Sequence, residues 1–306
     1  MATFARTTFD TALYAASRPT YPQALFEYVF RFHESSRAAR WNTAIDLGCG
    51  TGQATVELTR FKKVFGVDPS AKMVDSARQA LQVVQQDIPH GQIEYVQSPA
   101  ENLDFLQPET VDLMIAAQAG HWFDWSKMWP ELARVLRKGG SAAIWNYSEF
   151  RLPRYPSLSP IITHYHKGTD PLTSVGPYWE QPGRSILDNH LVAIPDARGV
   201  VPGVFKDFTR SYFTGVHYPH LPSPRPILMR KTMTWSDLYG YFLSYSALHT
   251  FLKHHPEDKL NPDGDISMRF WKSLMTLAGE QDGVEVDGKD NVDVEWPLAL
   301  IMARKA

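Results

Sequence analysis

Several absences bound this sequence before any motif is considered. Only one cysteine, Cys49, occurs in 306 residues, so no intrachain disulfide can form and a reducing compartment is expected. No run of 18 apolar residues is present, so no membrane-spanning helix is expected. The first residues lack the basic-then-apolar pattern of a signal peptide, which points to a cytoplasmic protein. Charge of one sign is also lacking: the formal net charge is −2, and no basic run exceeds Lys62-Lys63 or Arg230-Lys231. That balance gives no reason to expect nucleic acid or an anionic membrane surface as partner. His164, His166, His254 and His255 form no recognisable ligand set, so no metal is expected. Nothing argues for an assembly beyond a monomer or weak dimer. Aromatics are plentiful instead, with 9 Trp, 13 Tyr and 16 Phe. They can line a pocket for an organic molecule or fill a core.

Residues 44–52 read Ala-Ile-Asp-Leu-Gly-Cys-Gly-Thr-Gly. Thr43 to Leu47 is a short apolar run between polar neighbours, which predicts a buried strand. Gly48, Gly50 and Gly52 alternate after it and allow a sharp turn close to a ligand. A helix is expected over Gln53 to Phe61, then a second strand over Val64 to Val67 with Asp68 at its end. The spacing is G-x-G-x-G, not the G-x-G-x-x-G that cradles a pyrophosphate. A nucleoside cofactor without phosphate, S-adenosylmethionine (SAM), suits such an opening. Asp68 stands where a carboxylate can accept both ribose hydroxyls.

Strands are also expected at Ile93–Val96, Val111–Ala117, Ser141–Tyr147, Phe205–Phe213 and Val292–Ala303, the last interrupted by Pro297. Helices are expected at Gln23–His33 behind Pro22, at Ala71–Val84 behind Ser70, and at Trp125–Leu136 with a stop at Lys138-Gly139-Gly140. A further helix, rich in aromatics, is expected over Thr234–Lys253. Alternating strands and helices predict an α/β fold: a doubly wound, mostly parallel, seven-stranded sheet. One domain is expected, with a core of 35–147, 204–213 and 291–304. The remainder (1–34, 148–203 and 214–290) would form a lid over the substrate.

With the glycine loop and Asp68 in this setting, the chain resembles the class I SAM-dependent methyltransferases. The resemblance implies that Asp46 lies near the amino acid end of SAM, that Asp68 binds its ribose, and that Met73 packs near the adenosine. Gly48, Gly50 and Pro69 would border the cofactor. Ser98-Pro99-Ala100-Glu101 would border the adenine, with Ala100 and Glu101 in contact. Gln118 would stand beside the methyl group.

Gln118 to Asp124 reads Gln-Ala-Gly-His-Trp-Phe-Asp. His121 can take a proton or hydrogen-bond the acceptor, and Trp122 can pack on cofactor or substrate. Each can equally serve the core. Arg18, between Tyr14 and Tyr21, offers a planar fork to the carboxylate of SAM or of a substrate. Gly176 to Arg184 mixes polar and aromatic residues, and Tyr178, Trp179, Glu180 and Arg184 are candidate pocket residues. Within the family the chain resembles the trans-aconitate methyltransferase group of yeast and its fungal relatives. Ser17-Arg18-Pro19, Ala119 to Asp124, Gly176 to Ser185 and Ser244 to Ala247 carry that likeness. It departs at Gly120, where a side chain such as cysteine is expected, and at Thr51. The likeness implies methyl transfer to a small molecule, with a methyl ester on a carboxylate as one product. A rival reading keeps the fold, and SAM with it, but steers a rearrangement or cyclisation of a natural product, or only binds it. A nicotinamide oxidoreductase is disfavoured by the glycine spacing.

Overall fold

The computed structural model describes residues 17–84 and 92–306, and they divide into two compact units. The larger comprises 20–148, 182–228 and 298–306. It is built on one seven-stranded sheet. In chain order the strands are β1 (Thr43–Leu47), β2 (Lys63–Asp68), β3 (Ile93–Gln97), β4 (Val111–Ala117), β5 (Leu136–Tyr147), β6 (Phe205–Phe213) and, beyond a strand of the other unit, β9 (Leu298–Lys305). They lie in the order β3-β2-β1-β4-β5-β9-β6. The β3-β2-β1-β4-β5 pairings are parallel, and β9 runs antiparallel to both β5 and β6. The expected mostly parallel sheet is therefore present. Its order reverses between β1 and β4, and in such sheets ligands bind beyond the ends of the strands at that point.

Helix α1 (Gln23–Glu34) follows Pro22, whose extended backbone (φ −71°, ψ 147°) leads into it. Its buried residues Leu25, Phe26, Val29, Phe30 and His33 share one face. Helix α2 (Ala71–Val84) starts where the Met73 amide meets Ser70 Oγ at 3.4 Å. Helix α3 (Trp125–Val135) is capped by Asp124, which accepts from the Ser126 amide. Asp112, the one charge in β4, is fully buried and accepts from the Asn42 and Thr43 amides at 2.8 and 2.9 Å. It also pairs with Arg137, and so ties the start of β1 to β4 and β5.

Four local expectations change. The helix expected over 53–61 shrinks to a single 3-10 turn, Thr55–Leu58. Thr55 and Val56 are β-branched and poor helix formers, and the Thr55 hydroxyl is drawn to Asp46. The glycines at 139 and 140 do not end a helix. β5 begins at Leu136 directly after α3 and contains them, with Gly139 at φ +78°. The long aromatic helix breaks in two at Ser244 and Tyr245. The last strand also divides, because Pro297 cannot donate to a ladder.

The second unit, 149–181 and 229–297 with the described residues 17–19, holds the first part of that divided strand. β7 (Met229–Thr234) and β8 (Asn291–Trp296) pair antiparallel. With them stand α4 (Ser159–Lys167), α7 (Trp235–Leu243), α8 (Ser246–His254) and α9 (Ile266–Asp282). Thr234 and Asp237 form a reciprocal capping box at the start of α7. The aromatic excess is largely explained here as core. Tyr165 stacks on Phe270 with ring centres 3.9 Å apart, and Phe150, Trp235, Phe242 and Trp296 are at most 1% exposed. This division differs from the expected core and lid: 20–34, 148, 182–203 and 214–228 go with the sheet, and 291–297 goes with the other unit. Among the described residues no helix is long and apolar enough to cross a membrane.

Candidate functional site

The glycine turn lies at the switch point of the sheet. Gly48 (φ +69°) follows β1, and a Cβ placed there would lie 2.4 Å from the Ala119 Cβ beyond β4. A side chain at 48 would therefore both strain the backbone and collide. The amides of Gly48 and Cys49 donate to the Val67 carbonyl at 2.8 and 3.0 Å, which folds the turn over the end of β2. Gly50 (φ +54°) is different, since a Cβ there would meet nothing within 4 Å. The backbone at Gly50 therefore borders open space.

Asp68 ends β2 beside this opening. Its Oδ2 accepts from the Gly50 amide at 3.0 Å and its Oδ1 from the Ser70 amide at 2.9 Å. A carboxylate has about four lone-pair sites. Two are used by the backbone, and two remain for a pair of vicinal hydroxyls. Burial pushes the Asp68 carboxyl up, and the Ser70 and Gly50 amides pull it back down.

Asp46 is buried completely beneath the turn. Its Oδ2 accepts from the Thr55 hydroxyl at 2.7 Å, while Oδ1 has no hydrogen-bond partner among the described residues. Burial raises its pKa to about 7, with the Thr55 bond lowering it and the Asp68 charge adding to the rise. Burial likewise pushes up Cys49 and Tyr95, so both keep their protons. Tyr95 lies across the turn, its hydroxyl 2.3 Å from where a Gly52 Cβ would be and its ring 2.4 Å from that of Gly66. Tyr95 and Thr55 were not singled out from sequence. Their signal is faint, a tyrosine in β3 facing two glycines and a threonine nine residues after a buried acid.

The Asp46 shift has a consequence for stability. An unfolded aspartate titrates near about 3.9. The folded protein holds this proton to about 7, so the native state binds more protons across the interval. The stabilisation is complete below about pH 4 and is lost as pH rises through about 7. In Asp46→Asn the amide stays neutral. The melting temperature of the ligand-free variant should fall less between pH 5.5 and 8.5 (roughly, spanning the shifted value) than that of the wild type. Parallel curves by calorimetry would remove the assignment.

Gln118 follows β4 in a left-handed conformation (φ 57°). Its amide donates to the Trp145 carbonyl. Its side chain donates to the Tyr147 carbonyl at 3.1 Å and accepts from the Tyr147 amide at 2.8 Å. The carboxamide thus imitates a strand residue and extends the β4–β5 ladder by one rung. Next comes the 3-10 turn Gly120–Trp122. A Cβ at Gly120 would lie 2.4 Å from Ile144 Cγ2, which explains the glycine where a larger residue was expected. His121 is buried, with Nδ1 2.6 Å from Asn146 Nδ2. Trp122 is 40% exposed, and its ring centre lies 4.7 Å from that of His121. The short helix α5 (Gly183–Asp188) crosses here: a Cβ on Gly183 would be 2.7 Å from Trp122 Cζ3.

Of the other expected residues, Met73 and Ala100 are buried, and Pro69 is exposed with its carbonyl accepting from Gln97. Glu101 Oε1 accepts from the Asp124 amide at the start of α3. Tyr21 packs edge-on against Trp145, and Arg184 pairs with Asp188 at 2.9 Å. Arg18, Tyr178 and Trp179 belong to the second unit. Arg18 donates to the Ser244 carbonyl and lies over the rings of Tyr241 and Tyr245. The Tyr178 hydroxyl is 2.6 Å from His255 Nε2, and Trp179 Nε1 donates to the His166 carbonyl. Tyr14 lies outside the described residues.

The sequence agrees with the geometry. Residues 45–144 match the family model described as a methyltransferase domain. A probable S-adenosylmethionine-dependent methyltransferase of Saccharomyces cerevisiae is 31% identical over 97% of this chain and 96% of its own. A methyltransferase of Aspergillus candidus is 29% identical over 95% and 93%. Among solved structures, that of a candidate type II methyltransferase from Anaeromyxobacter dehalogenans covers 94% of this chain and 97% of its own, with TM-score 0.64 and 25% identity.

Proposed function

This chain belongs to the SAM-dependent methyltransferases, and we propose that it methylates a small organic acceptor where β1 and β4 end, with a carboxylate oxygen as the acceptor atom. The observation that carries the site is Asp68, fixed by two backbone amides beside the open face of Gly50. SAM, when bound, supplies a methyl group already activated by its sulfonium charge.

The residues present fit such a group. Asp68 would hold the ribose through its two remaining lone-pair sites, and Gly48 and Gly50 would let backbone approach it. The unpartnered Oδ1 of Asp46 offers an acceptor beneath the turn. Met73, Pro69 and Ala100 flank the nucleoside. Gln118 acts through the rung it adds to the sheet, because its carboxamide is engaged on both sides by Tyr147. Glu101 serves to hold the start of α3. Trp122 packs on the acceptor with its exposed face, and Tyr21 and Arg184 contribute to the walls. Arg18, Tyr178 and Trp179 enter this reading from their chemistry and place in the sequence and from the family resemblance.

A carboxylate is ionised at neutral pH and loses no proton when methylated. The chain then has to align acceptor and methyl group, and such positioning can supply on the order of 7–11 kcal/mol. His121 donates a hydrogen bond to the acceptor in this reading. Losing one such bond to a charged oxygen costs roughly 1.5 kcal/mol, the low end of the range for charged partners. His121→Ala should therefore slow ester formation by about tenfold and leave the pH profile flat. Incubation of the protein with SAM and a panel of small carboxylic acids, read by S-adenosylhomocysteine and methyl ester, checks both statements. A loss near a thousandfold in His121→Ala with a changed pH profile, on the scale of general-base catalysis, would reject the ester in favour of an acceptor that must be deprotonated. The rival reading, a rearrangement or binding role, requires that no acceptor yields S-adenosylhomocysteine.

A further inference from the structure

β5 carries one polar side chain in its apolar second half. Ala142, Ala143, Ile144 and Trp145 are fully buried, and Asn146 follows them with 3% exposure. A carboxamide buried in such a run needs a hydrogen-bond partner. Its partner is the imidazole of His121, with Nδ2 2.6 Å from Nδ1.

In a neutral imidazole one nitrogen donates and the other accepts. The neighbouring carboxamide sets which role Nδ1 takes. With Nδ2 toward the ring, Nδ1 must accept, and the ring proton sits on Nε2. With Oδ1 toward the ring, Nδ1 would carry the proton. The two orientations differ in what they leave inside the protein. Oδ1 has no hydrogen-bond partner among the described residues and faces the backbone of Gly120, 3.8 Å from where a Cβ would be. An under-satisfied buried carbonyl is tolerated far more often than an orphaned N–H. Turning the amide over would place both of its N–H groups in that dry position. The orientation with Nδ2 toward Nδ1 is therefore the stable one.

The ring is also held from its other sides. Trp122 lies against it, and Gly183 approaches so closely that a Cβ there would be 3.2 Å from His121 Cδ2. Gly120 permits this packing because no side chain separates the turn from Ile144 and Asn146. The imidazole is thus clamped with Nδ1 turned to β5.

We infer that Asn146 is a positioning residue that fixes His121 in the Nε2–H tautomer. His121 is thereby a hydrogen-bond donor at Nε2 and not a base. This inference deepens the proposed function and rests on it for the acceptor. A donor serves an oxygen that is already anionic, and it does not serve a neutral hydroxyl or amine whose proton must be removed. The acceptor class narrows to carboxylates and other oxyanions that exist before they bind. The bond that forms is between that oxygen and the methyl carbon, the sulfur–carbon pair stays on sulfur, and no proton is released.

The test is the tautomer itself, read on ligand-free, 15N-labelled protein by long-range proton–nitrogen correlation at about pH 8.5, two units above an ordinary imidazole. His121, assigned by its loss in His121→Ala, should show Nδ1 in the unprotonated range and Nε2 in the protonated range. Asn146→Asp supplies a carboxylate that can only accept. The proton should then move to Nδ1 and the pattern should invert. In the same variant kcat should fall about tenfold and acquire a pH-dependent limb, while KM for SAM stays unchanged. Purely structural damage would not invert a tautomer. A protonated Nδ1 in the wild type, or an unchanged pattern in a folded Asn146→Asp, would overturn the inference. If Asn146→Asp does not fold, the wild-type spectrum decides alone. Failure of every carboxylic acid to yield S-adenosylhomocysteine would instead remove the ester reading, and with it the step from donor to acceptor class.

Discussion

Asp68→Ala should raise the dissociation constant for SAM by a hundredfold or more, as measured by calorimetry on protein whose circular dichroism is unchanged. The size follows from the two lone-pair sites that the backbone leaves vacant on this carboxylate. Each charged hydrogen bond to a ribose hydroxyl is worth roughly 1.5–3 kcal/mol. Losing two gives about 3–6 kcal/mol, and each 1.4 kcal/mol is a factor of ten. The Gly50 amide also loses its partner at 3.0 Å, so the turn itself loosens and adds to the loss. Asp68→Asn separates these effects. It keeps one acceptor oxygen and the shape of the side chain, and should fall between wild type and alanine. Affinity unchanged in Asp68→Ala would remove the ribose contact and, with it, the placement of the cofactor at this turn.

Glu149→Ala should be the most destabilising single change in the second unit. Glu149 is 4% exposed, with Arg151 Nη2 2.8 Å from Oε1 and Lys167 Nζ 2.8 Å from Oε2. Burial alone would raise this carboxyl, but Lys167 and Arg151, helped by His166, outweigh it and hold the group well below the usual glutamate range. Removing the acid takes the buried carboxylate from between two cations, for a loss of about 3–5 kcal/mol. Chemical denaturation of the two proteins at neutral pH checks the figure. The pH dependence has a definite sign. An unfolded glutamate titrates near about 4.3. The folded group gives up its proton more readily, so its stabilising contribution is complete above that value and is lost as the pH falls below it. The wild type should therefore lose its advantage over Glu149→Gln on acidification. A constant difference down to about pH 3 would contradict the shift.

Much of the large unit could be read from sequence, because its signals are local. Apolar runs of five to seven residues, glycines after the first and an acid after the second, are features of neighbouring residues. What escaped depends on contacts between distant segments. Nothing near Asn146 announces that its carboxamide meets His121, although a lone amide in the apolar second half of β5 is visible in the sequence. Glu101 also has a structural partner that its neighbours do not announce: one carboxylate oxygen accepts from the Asp124 amide, a pairing set by how two loops meet. The helix expected after Gly52 failed because Thr55 and Val56 disfavour it locally and the Thr55 hydroxyl is drawn to Asp46, a contact nine residues back. The aromatic run at 234–253 kept its helical period, but the bend at Ser244 was not marked by glycine or proline. Ser244 Oγ donates to the Tyr241 carbonyl there, which a serine can do without leaving any sequence pattern.

The sheet order carries a consequence for how the chain is made. β9 is an inner strand, paired to β5 on one side and β6 on the other, yet it is the last of these strands to be synthesised. The whole of 214–297 leaves the ribosome between β6 and β9. Throughout that interval β5 presents an unpaired row of amides and carbonyls, the kind of edge that invites pairing with other chains. Pairing with strands so far apart in sequence is also slow. The edge therefore stays open until β9 is made, and the length of 214–297, most of it in the second unit, sets the length of that wait.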